Sequence, residues 1–457
     1  MHRVRARRAL AALILSLAIV TSVPTGLGGI RPAAAADASL VFAVLDLLKN
    51  EHVDRPDPVR LLAAALGGLR QALSRAGVTA TLPDLAATDE VGARVEFQAR
   101  FDQALAVAAG RVTQTQLQYA AAQAMAASMG DSHTGFITPE RLAERRRQQQ
   151  NQAGFTGIGI LLMPRAGRFY IKLVFPGTPA ERSGLRPFDR IVAIDGQSTE
   201  GMTTEDVSNR IRGPQGTPVT VVVQRPGQPT PLSFLIVREP IVVPAVEHRM
   251  LEGGIGYIRF GQFTQGSANL VRRAIEDLQA QGMRGMLLDL RSNPGGFVAE
   301  LNRVADMLLP AGLPIYTMDS RRDGRQTQVT RTGPVLHQIT PLVVLVDDGT
   351  ASASELLAAA LQEHGRGTLV GTRTAGAVLV SITFPLPGGA GLSVAIARMT
   401  TSRGVVLEGN GLRPDVEVEL TLEDLDRGVD SQLARGRDEL ARRLAQAGRP
   451  LVTTGVH

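Results

Sequence analysis

A change of residue pattern near residue 153 constrains the fold of this chain more than any other feature. From Phe155 to Val237, short apolar runs alternate with Gly and Pro, which is typical of a small β unit. The preceding sequence is rich in Ala and Leu with helical spacing, and from about Glu252 strand-like runs alternate with amphipathic helical runs. Such alternation predicts an α/β unit with buried parallel strands. We therefore expect an α+β multidomain chain in which a β unit lies between a helical region and an α/β unit.

The length of 457 residues exceeds what one compact core usually accommodates, so several folded units are expected. The predicted divisions are a signal peptide at 1–36, a helical region at 37–152, the β unit at 153–240, the α/β unit at 241–425 and a C-terminal helix and tail at 426–457.

The first segment has the pattern of a targeting signal. Arginines between residues 3 and 8 precede an apolar stretch from Leu10 to about Val23, and a run of alanines ends at Ala36. The apolar stretch is shorter than the ~20 residues that a membrane span needs, which favours a cleaved signal peptide over the alternative of a retained anchor. We expect a mature protein that begins near Asp37 and is secreted or located in the cell envelope or periplasm.

Composition excludes several kinds of site. The chain has no cysteine, so disulfides, thiolate metal sites and a cysteine nucleophile are all excluded. It has no tryptophan and only 4% aromatic residues, and its net charge of +6 is spread along the chain, so no nucleic-acid partner is expected. No histidine or acidic cluster has the spacing of a metal site, and neither a metal nor another cofactor is predicted.

Glycine-containing motifs follow one another through the β unit. They are Gly157-Ile158-Gly159-Ile160, Pro176-Gly177-Thr178-Pro179-Ala180, Ser183-Gly184-Leu185, Asp189-Arg190-Ile191 and Ile194-Asp195-Gly196. In this order they resemble a PDZ domain. A glycine-flanked loop can turn backbone N–H groups toward a terminal carboxylate, while the next strand takes the peptide as an added strand. Gly157, Ile158, Gly159 and Ile160 are therefore predicted to bind peptide, and the predicted partners are the C-terminal tails of proteins.

Two strands of the α/β unit lead into turns rich in Gly and Ser. The turns are Arg291-Ser292-Asn293-Pro294-Gly295-Gly296 and Gly349-Thr350-Ala351-Ser352-Ala353-Ser354-Glu355, and Asn410-Gly411-Leu412-Arg413-Pro414-Asp415 follows near the end. Together these motifs resemble the carboxyl-terminal processing, or tail-specific, serine peptidases, which share a core with tricorn protease. The resemblance covers roughly Leu40 to Leu425 and implies an α/β peptidase core of the crotonase/ClpP-like kind.

Ser352 matches the nucleophile of that family. A serine at a strand-to-helix turn exposes its hydroxyl at the edge of a sheet. By the same resemblance, the N–H of Ala353 and one from Gly295 or Gly296 would form the oxyanion hole, in which each donor contributes about 3 kcal/mol. The alternative is structural, because Ser352 and Glu355 also fit a helix capping box.

The chain departs from the family at the general base. Tail-specific peptidases resemble one another in a run G-K-T-F-G-K-G, whose second lysine is the base, followed shortly by an orienting glutamine. Residues 371–378 lack that lysine, since Ala377 occupies its position and Ser381 falls at that of the glutamine. The only lysines, Lys49 and Lys172, belong to the helical region and the β unit. A Ser–Lys dyad is therefore not expected.

Histidine is the natural substitute, because its pKa lies near working pH. The Ser-His pair within residues 130–134 matches the position of the tricorn-type catalytic histidine, and Glu408 matches the carboxylate that orients it. We hypothesise that Ser352 is the nucleophile, His133 the base, and Ser132 and Glu408 orienting groups. The alternative is that His133 only forms structural hydrogen bonds, because the same motif occurs in lysine-dependent relatives.

These features predict a secreted serine endopeptidase that cleaves near C-terminal tails recognised by the PDZ-like unit. The alternative is a catalytically inactive scaffold that binds tails without cutting them. A homo-oligomer formed through the N-terminal helices, peripheral to the cell envelope, is a further expectation.

Overall fold

The computed structural model describes residues 37–447 except 151 and 153. The predicted signal peptide and the end of the predicted tail lie outside the described residues. Within the described part of the chain, we find no helix that combines the length and the apolar character needed to span a bilayer.

The helical region begins with four helices, α1 (Ser39–Glu51), α2 (Pro58–Arg75), α3 (Glu90–Ala108) and α4 (Gln114–Ala127), followed by β1 (Gly135–Ile137) and α5 (Pro139–Gln149). Local sequence defines where the helices begin. Asp57 and Asp89 accept hydrogen bonds from the first backbone N–H groups of α2 and α3, and Thr113 forms a capping box with Gln116 at α4.

The β unit contains β2 (Phe155–Gly157), β3 (Ile160–Arg165), β4 (Arg168–Val174), α6 (Pro179–Arg182), β5 (Arg190–Ile194), β6 (Gln197–Ser198), α7 (Thr204–Ile211), β7 (Pro218–Gln224), β8 (Leu232–Val237) and β9 (Glu239–Ile241). The sheet has the order β3-β4-β5-β7-β8, and α7 packs on it through Val207 and Ile211. The sequence predicts a short helix from Thr204 to Ile211, and α7 has these bounds; a capping box formed by Thr203 and Asp206 marks its start.

The α/β unit contains β10 (Val246–Leu251), β11 (Ile255–Phe260), α8 (Ser267–Ala280), β12 (Gly285–Asp289), α9 (Val298–Leu308), β13 (Pro314–Ser320), β14 (Gly324–Val329), β15 (Leu342–Val346), α10 (Ala353–Glu363), β16 (Thr368–Gly371), β17 (Leu379–Pro385), β18 (Gly391–Thr401), β19 (Val416–Glu417), α11 (Leu422–Arg427) and α12 (Ser431–Ala447).

The main sheet has the order β10-β11-β12-β15-β16-β19, in which β11 to β19 run parallel and β10 is an antiparallel edge. Helices α8, α9 and α10 cover one face, and α12 covers the other with Leu440 buried against Leu287 and Leu345. Every residue of β11, β12 and β15 is buried, as expected of strands covered on both faces.

A second sheet, of order β1-β18-β13-β14 with β17 paired to β18, was not predicted from the sequence. β14 is polar and almost wholly exposed, and Gly, Ser, Thr and Arg interrupt the apolar residues of β18, so neither strand is a continuous apolar run. The pairing of β1 with β18, Gly135 opposite Ser393, joins the helical region to the α/β unit. It also places residues 130–134 against that unit.

The predicted domain limits stay a prediction.

Candidate active site

Ser352 lies between β15 and α10 in a backbone conformation that few residues other than glycine adopt. Its φ is 56° and its ψ −119°, and α10 begins at the next residue. A sharp strand-to-helix turn of this kind is the geometry of a nucleophile elbow, which presents a serine at the edge of a parallel sheet.

Glu355 is a buried carboxylate that binds the Ser352 turn to a second loop. Its Oε2 accepts hydrogen bonds from the N–H of Ser352 (2.9 Å) and of Ala377 (3.0 Å). Its Oε1 accepts from Thr374 Oγ1 (2.5 Å) and Gly376 N–H (2.8 Å). The predicted interaction between Glu355 and Ser352 is thus present. It holds the serine backbone and is compatible with a chemical role for the hydroxyl.

The loop after β12 is held by Asn293, which is fully buried. Its side-chain oxygen accepts from Gly295 N–H (2.9 Å), its amide donates to the carbonyl of Phe260 (2.7 Å), and its carbonyl accepts from Ala351 N–H (2.9 Å). One asparagine therefore joins the end of β11, the glycine loop and the loop that carries Ser352.

The glycine loop contacts the Ser352 turn directly. A Cβ atom at Gly295 would lie 2.8 Å from both Ser352 Cβ and Ala353 N, and Gly295 has a φ of 86°. Because the N–H of Gly295 already donates to Asn293, Gly296 is the better candidate of the two glycines for the oxyanion hole, together with Ala353 at the start of α10.

Ser132, His133 and Glu408 are brought together across 276 positions of sequence. Ser132 Oγ donates to Glu408 Oε1 (2.8 Å) and lies 2.6 Å from His133 Nδ1. The second carboxylate oxygen of Glu408 accepts from Val378 N–H (2.6 Å). A hydroxyl has one proton, which here goes to the carboxylate, so Nδ1 of His133 must be the donor to Ser132. The neutral imidazole therefore carries its free lone pair on Nε2.

Asp131 and His52 hold the backbone beside His133. Asp131 Oδ1 accepts from the N–H groups of His133 (2.8 Å) and Thr134 (2.7 Å). His52 Nδ1 accepts from Asp54 N–H (3.0 Å), so His52 Nε2 carries the proton that it donates to Asp131 Oδ2 (2.9 Å). Burial opposes ionisation of Asp131, but the hydrogen bonds outweigh it and lower the pKa to about 2.

The surroundings of His133 favour the neutral imidazole. Burial lowers the pKa of His133 below its ordinary value, and the charge of Arg145 acts in the same direction. The charges of Glu408 and Asp131 oppose this decrease only in part. At neutral pH the ring is therefore in the form that can accept a proton.

Comparison with known proteins decides the family. Residues 254–418 match peptidase family S41, and residues 170–225 match a PDZ domain. The chain is 35% identical over 308 residues to a carboxyl-terminal-processing protease of Synechocystis sp., with 66% of this chain and 71% of that protein covered. The chain belongs to the carboxyl-terminal-processing proteases. It is accordingly a serine-type peptidase.

Other relatives agree with this assignment. A carboxy-terminal-processing protease of Bartonella bacilliformis is 35% identical over 319 residues, which cover 68% of this chain and 71% of the relative. The solved photosystem II D1 C-terminal processing protease superposes with a TM-score of 0.53 at 27% identity, covering 87% of this chain and 98% of that chain. The predicted family and fold class, with a PDZ domain and an α/β peptidase core, are thus confirmed.

In this carboxyl-terminal-processing protease, the position of the family lysine holds no amine. Ala377 donates its N–H to Glu355, and Ser381 lies in β17 opposite Ala395. The sequence places Lys172 in the β unit, outside the peptidase core. From β4 of the PDZ domain, Lys172 reaches the core and contacts Ser292 Oγ and the carboxylate of Asp347.

Lys172 serves as an ion-pair partner in this arrangement. Asp347 is buried and also accepts from Ser292 N–H (2.8 Å) and Gly349 N–H (3.0 Å), so it joins the loop after β12 to the loop after β15. Among the described residues, Lys172 has no hydrogen bond to Ser352. An ammonium that donates to Asp347 and Ser292 has no lone pair with which to accept a proton.

The predicted peptide-binding residues share one cavity of about 350 Å³ between the PDZ domain and the peptidase core. Gly157, Ile158, Gly159 and Ile160 line it beside α7. Gly159 has a φ of 90°, and a Cβ there would lie 2.3 Å from the side chain of Thr178. Glycine is therefore required at this point of the loop.

Sequence reasoning missed several residues that position the candidate site. Asp131 stands two residues before His133, so its backbone-capping role had a local signal. His52, Asn293 and Lys172 act through contacts with residues far away in the chain, for which the sequence had no local signal.

Proposed function

We propose that this protein is an endopeptidase that binds the C-terminal tail of a substrate protein in its PDZ domain and hydrolyses a peptide bond near that tail. Ser352 is the nucleophile and His133 the base. The observation that carries the proposal is the Ser132 hydroxyl shared by Glu408 and His133, which leaves the lone pair of His133 on Nε2.

The reaction follows the logic of a serine triad. Nε2 of His133 takes the hydroxyl proton while Ser352 Oγ attacks the peptide carbonyl carbon. Glu408, acting through Ser132, stabilises the imidazolium that forms. The N–H groups of Ala353 and Gly296 bind the oxyanion. The imidazolium then protonates the leaving amine, and water hydrolyses the acyl-enzyme by the same steps. This requires Nε2 to come within hydrogen-bond reach of Ser352 when substrate is bound.

The place of action belongs to the same proposal. The arginine-rich start, the apolar stretch and the alanine run before Asp37 support export, with the mature protein secreted or in the cell envelope or periplasm. N-terminal sequencing of the exported protein should give Asp37. Assembly into a homo-oligomer through α1 to α4 stays a prediction that analytical ultracentrifugation would test.

The test of the activity is a fluorescent peptide with an apolar last residue and a free carboxyl terminus. We expect the mature protein to convert it with multiple turnovers into two fragments that mass spectrometry identifies. We also expect a fluorophosphonate to label Ser352. Binding without fragments and without labelling would instead support the inactive scaffold.

Gly295→Ala is expected to lower kcat by about 100-fold or more, because the new methyl group would lie 2.8 Å from Ser352 Cβ and from the N–H of Ala353. Gly312→Ala is the matched control. Its φ of 85° equals that of Gly295 within a degree, and nothing lies within 4 Å of its Cβ position. Equal kcat values for the two variants, measured on the tail peptide, would show that the space beside Ser352 is not used.

Hydrolysis is expected to decline at acidic pH. His133 must be neutral to accept a proton, and its pKa lies below the ordinary 6.5. A profile of kcat/KM should therefore be flat near neutrality and fall as the pH drops through that lowered pKa. Because Glu408 raises the pKa of His133, Glu408→Gln should move the acidic limb to lower pH as well as reduce the rate. If the acidic limb of the profile does not move in Glu408→Gln, the titration belongs to a group other than His133.

A further inference from the structure

The cavity between the PDZ domain and the peptidase core contains an arginine of the core, Arg259 in β11. Its side chain is 8% exposed, and its guanidinium lies 5.7 Å from the ring centre of Phe175, which lines the same cavity. Its ion-pair partner is Glu247, at 2.8 Å from Nη1. A guanidinium has five N–H donors, and within the described residues Glu247 is the one hydrogen-bond acceptor for them.

Gly261 makes room for this guanidinium. A Cβ at Gly261 would lie 3.2 Å from the carbonyl oxygen of Pro244, 3.3 Å from Nη1 and 3.4 Å from Nη2 of Arg259, and Gly261 also lines the cavity. Gly261 is not among the residues with a positive φ, so the backbone alone does not require glycine there. The absent side chain leaves the space in front of the arginine open.

A second arginine lines the same cavity from the PDZ domain. Arg212, at the end of α7, stacks 4.2 Å from the ring centre of Phe155, and its Cγ lies 3.8 Å from the Cβ position of Gly157. It pairs with Glu144 of α5 at 3.0 Å and keeps 37% of its side chain exposed. Two guanidinium groups thus share one cavity with the loop from Gly157 to Ile160.

We propose that Arg259 of the peptidase core, together with Arg212, binds the α-carboxylate of the substrate tail in this cavity. Arginine matches a carboxylate through paired parallel hydrogen bonds, which a backbone loop alone does not supply. Ile158, Ile160 and Ile211 add apolar walls for the last side chain of the tail. This inference rests on the proposed binding of tails, and it adds that the peptidase core itself reads the carboxylate.

The position of Arg259 connects recognition to the catalytic loops. It precedes Phe260, whose carbonyl accepts from Asn293, the residue that holds the glycine loop and the Ser352 loop together. Ser292 and Pro294 of the glycine loop line the same cavity. A tail bound here therefore contacts both the PDZ domain and the loop beside Ser352.

The test measures binding separately from hydrolysis. The full mature chain with Ser352→Ala is titrated into a fluorescent tail peptide, with either a free carboxylate or a carboxamide at its end, and anisotropy gives Kd. We expect the carboxamide to bind at least about tenfold more weakly. Arg259→Gln should weaken binding of the free-acid peptide about tenfold and remove the difference in Kd between the two peptides. Glu247→Gln should tighten the free-acid peptide, because it releases Arg259 from its competing carboxylate.

Controls separate charge recognition from damage to the fold. Arg272→Gln, at an exposed position of α8, should bind as the parent does, and Arg259→Lys should retain part of the preference for the free acid. Thermal unfolding identifies any variant that fails to fold. If Arg259→Gln fails to fold, the change in Kd of Glu247→Gln decides whether the inference holds. The inference would be overturned by an unchanged Kd in folded Arg259→Gln or by no tightening in Glu247→Gln. It would also be overturned if a carboxamide peptide ending in Asp bound as tightly as the free-acid peptide. If the Ser352→Ala chain binds the tail peptide tightly but the mature protein with Ser352 shows no turnover, the proposed hydrolysis is refuted and this inference stands.

Discussion

Ser352→Ala is expected to lower kcat on the tail peptide by about 10⁴- to 10⁶-fold, the range for loss of a serine nucleophile that acts with a base and an oxyanion hole. The loss should appear in kcat rather than in peptide binding, because the cavity proposed to bind the tail, between the PDZ domain and the core, is not lined by Ser352. Single-turnover kinetics and fluorophosphonate labelling are the measurements.

Ser354→Ala is the matched control, since Ser354 lies two residues away on α10. Its hydroxyl is buried without a hydrogen-bond partner among the described residues, so its removal should leave kcat unchanged and stability equal or slightly higher. Ser352→Gly adds a second readout. Glycine tolerates a φ of 56°, so this inactive variant should gain about 1 kcal/mol in the free energy of unfolding over Ser352→Ala. Full activity of Ser352→Ala would refute the proposed nucleophile.

His133→Gln is expected to lower kcat by about 10³- to 10⁴-fold, because glutamine can keep a hydrogen bond to Ser132 but cannot accept the Ser352 proton. His337→Gln, at an exposed position of the peptidase core, is the control and should match the parent. Steady-state kinetics on the tail peptide give the comparison, and KM should change far less than kcat.

Lys172→Arg tests whether the amine of Lys172, which contacts Ser292 and Asp347, acts as the base. Arginine can keep the ion pair with Asp347 but cannot act as a base near neutral pH. We expect this variant to retain most of the activity. Activity that survives in His133→Gln and disappears in Lys172→Arg would transfer the base role from the histidine to the lysine.

Local patterns predicted much of the fold. The buried parallel strands β12 and β15 are continuous apolar runs, and the residue patterns at 204–211 and 298–308 predict helices with the bounds that α7 and α9 have. These elements depend on the spacing of buried residues and on helix capping, both of which are encoded by residues close together in the sequence. The second sheet was missed because the polar strand β14 and the strand β18, which mixes polar and apolar residues, depend on strand partners from elsewhere in the chain.

The sequence by itself determined the order of helical region, PDZ domain and peptidase core, the strand-to-helix turn at Ser352, and the absence of an amine at position 377. Tertiary structure alone decided which distant groups meet. The pairing of β1 with β18 sets the position of the His133 loop, and packing of the PDZ domain on the core brings Lys172 to Asp347 and encloses the cavity that Arg259 lines. Hydrogen bonds and ion pairs act over a few ångströms, so contacts between residues far apart in sequence exist only once strand register and the packing of the layers are fixed.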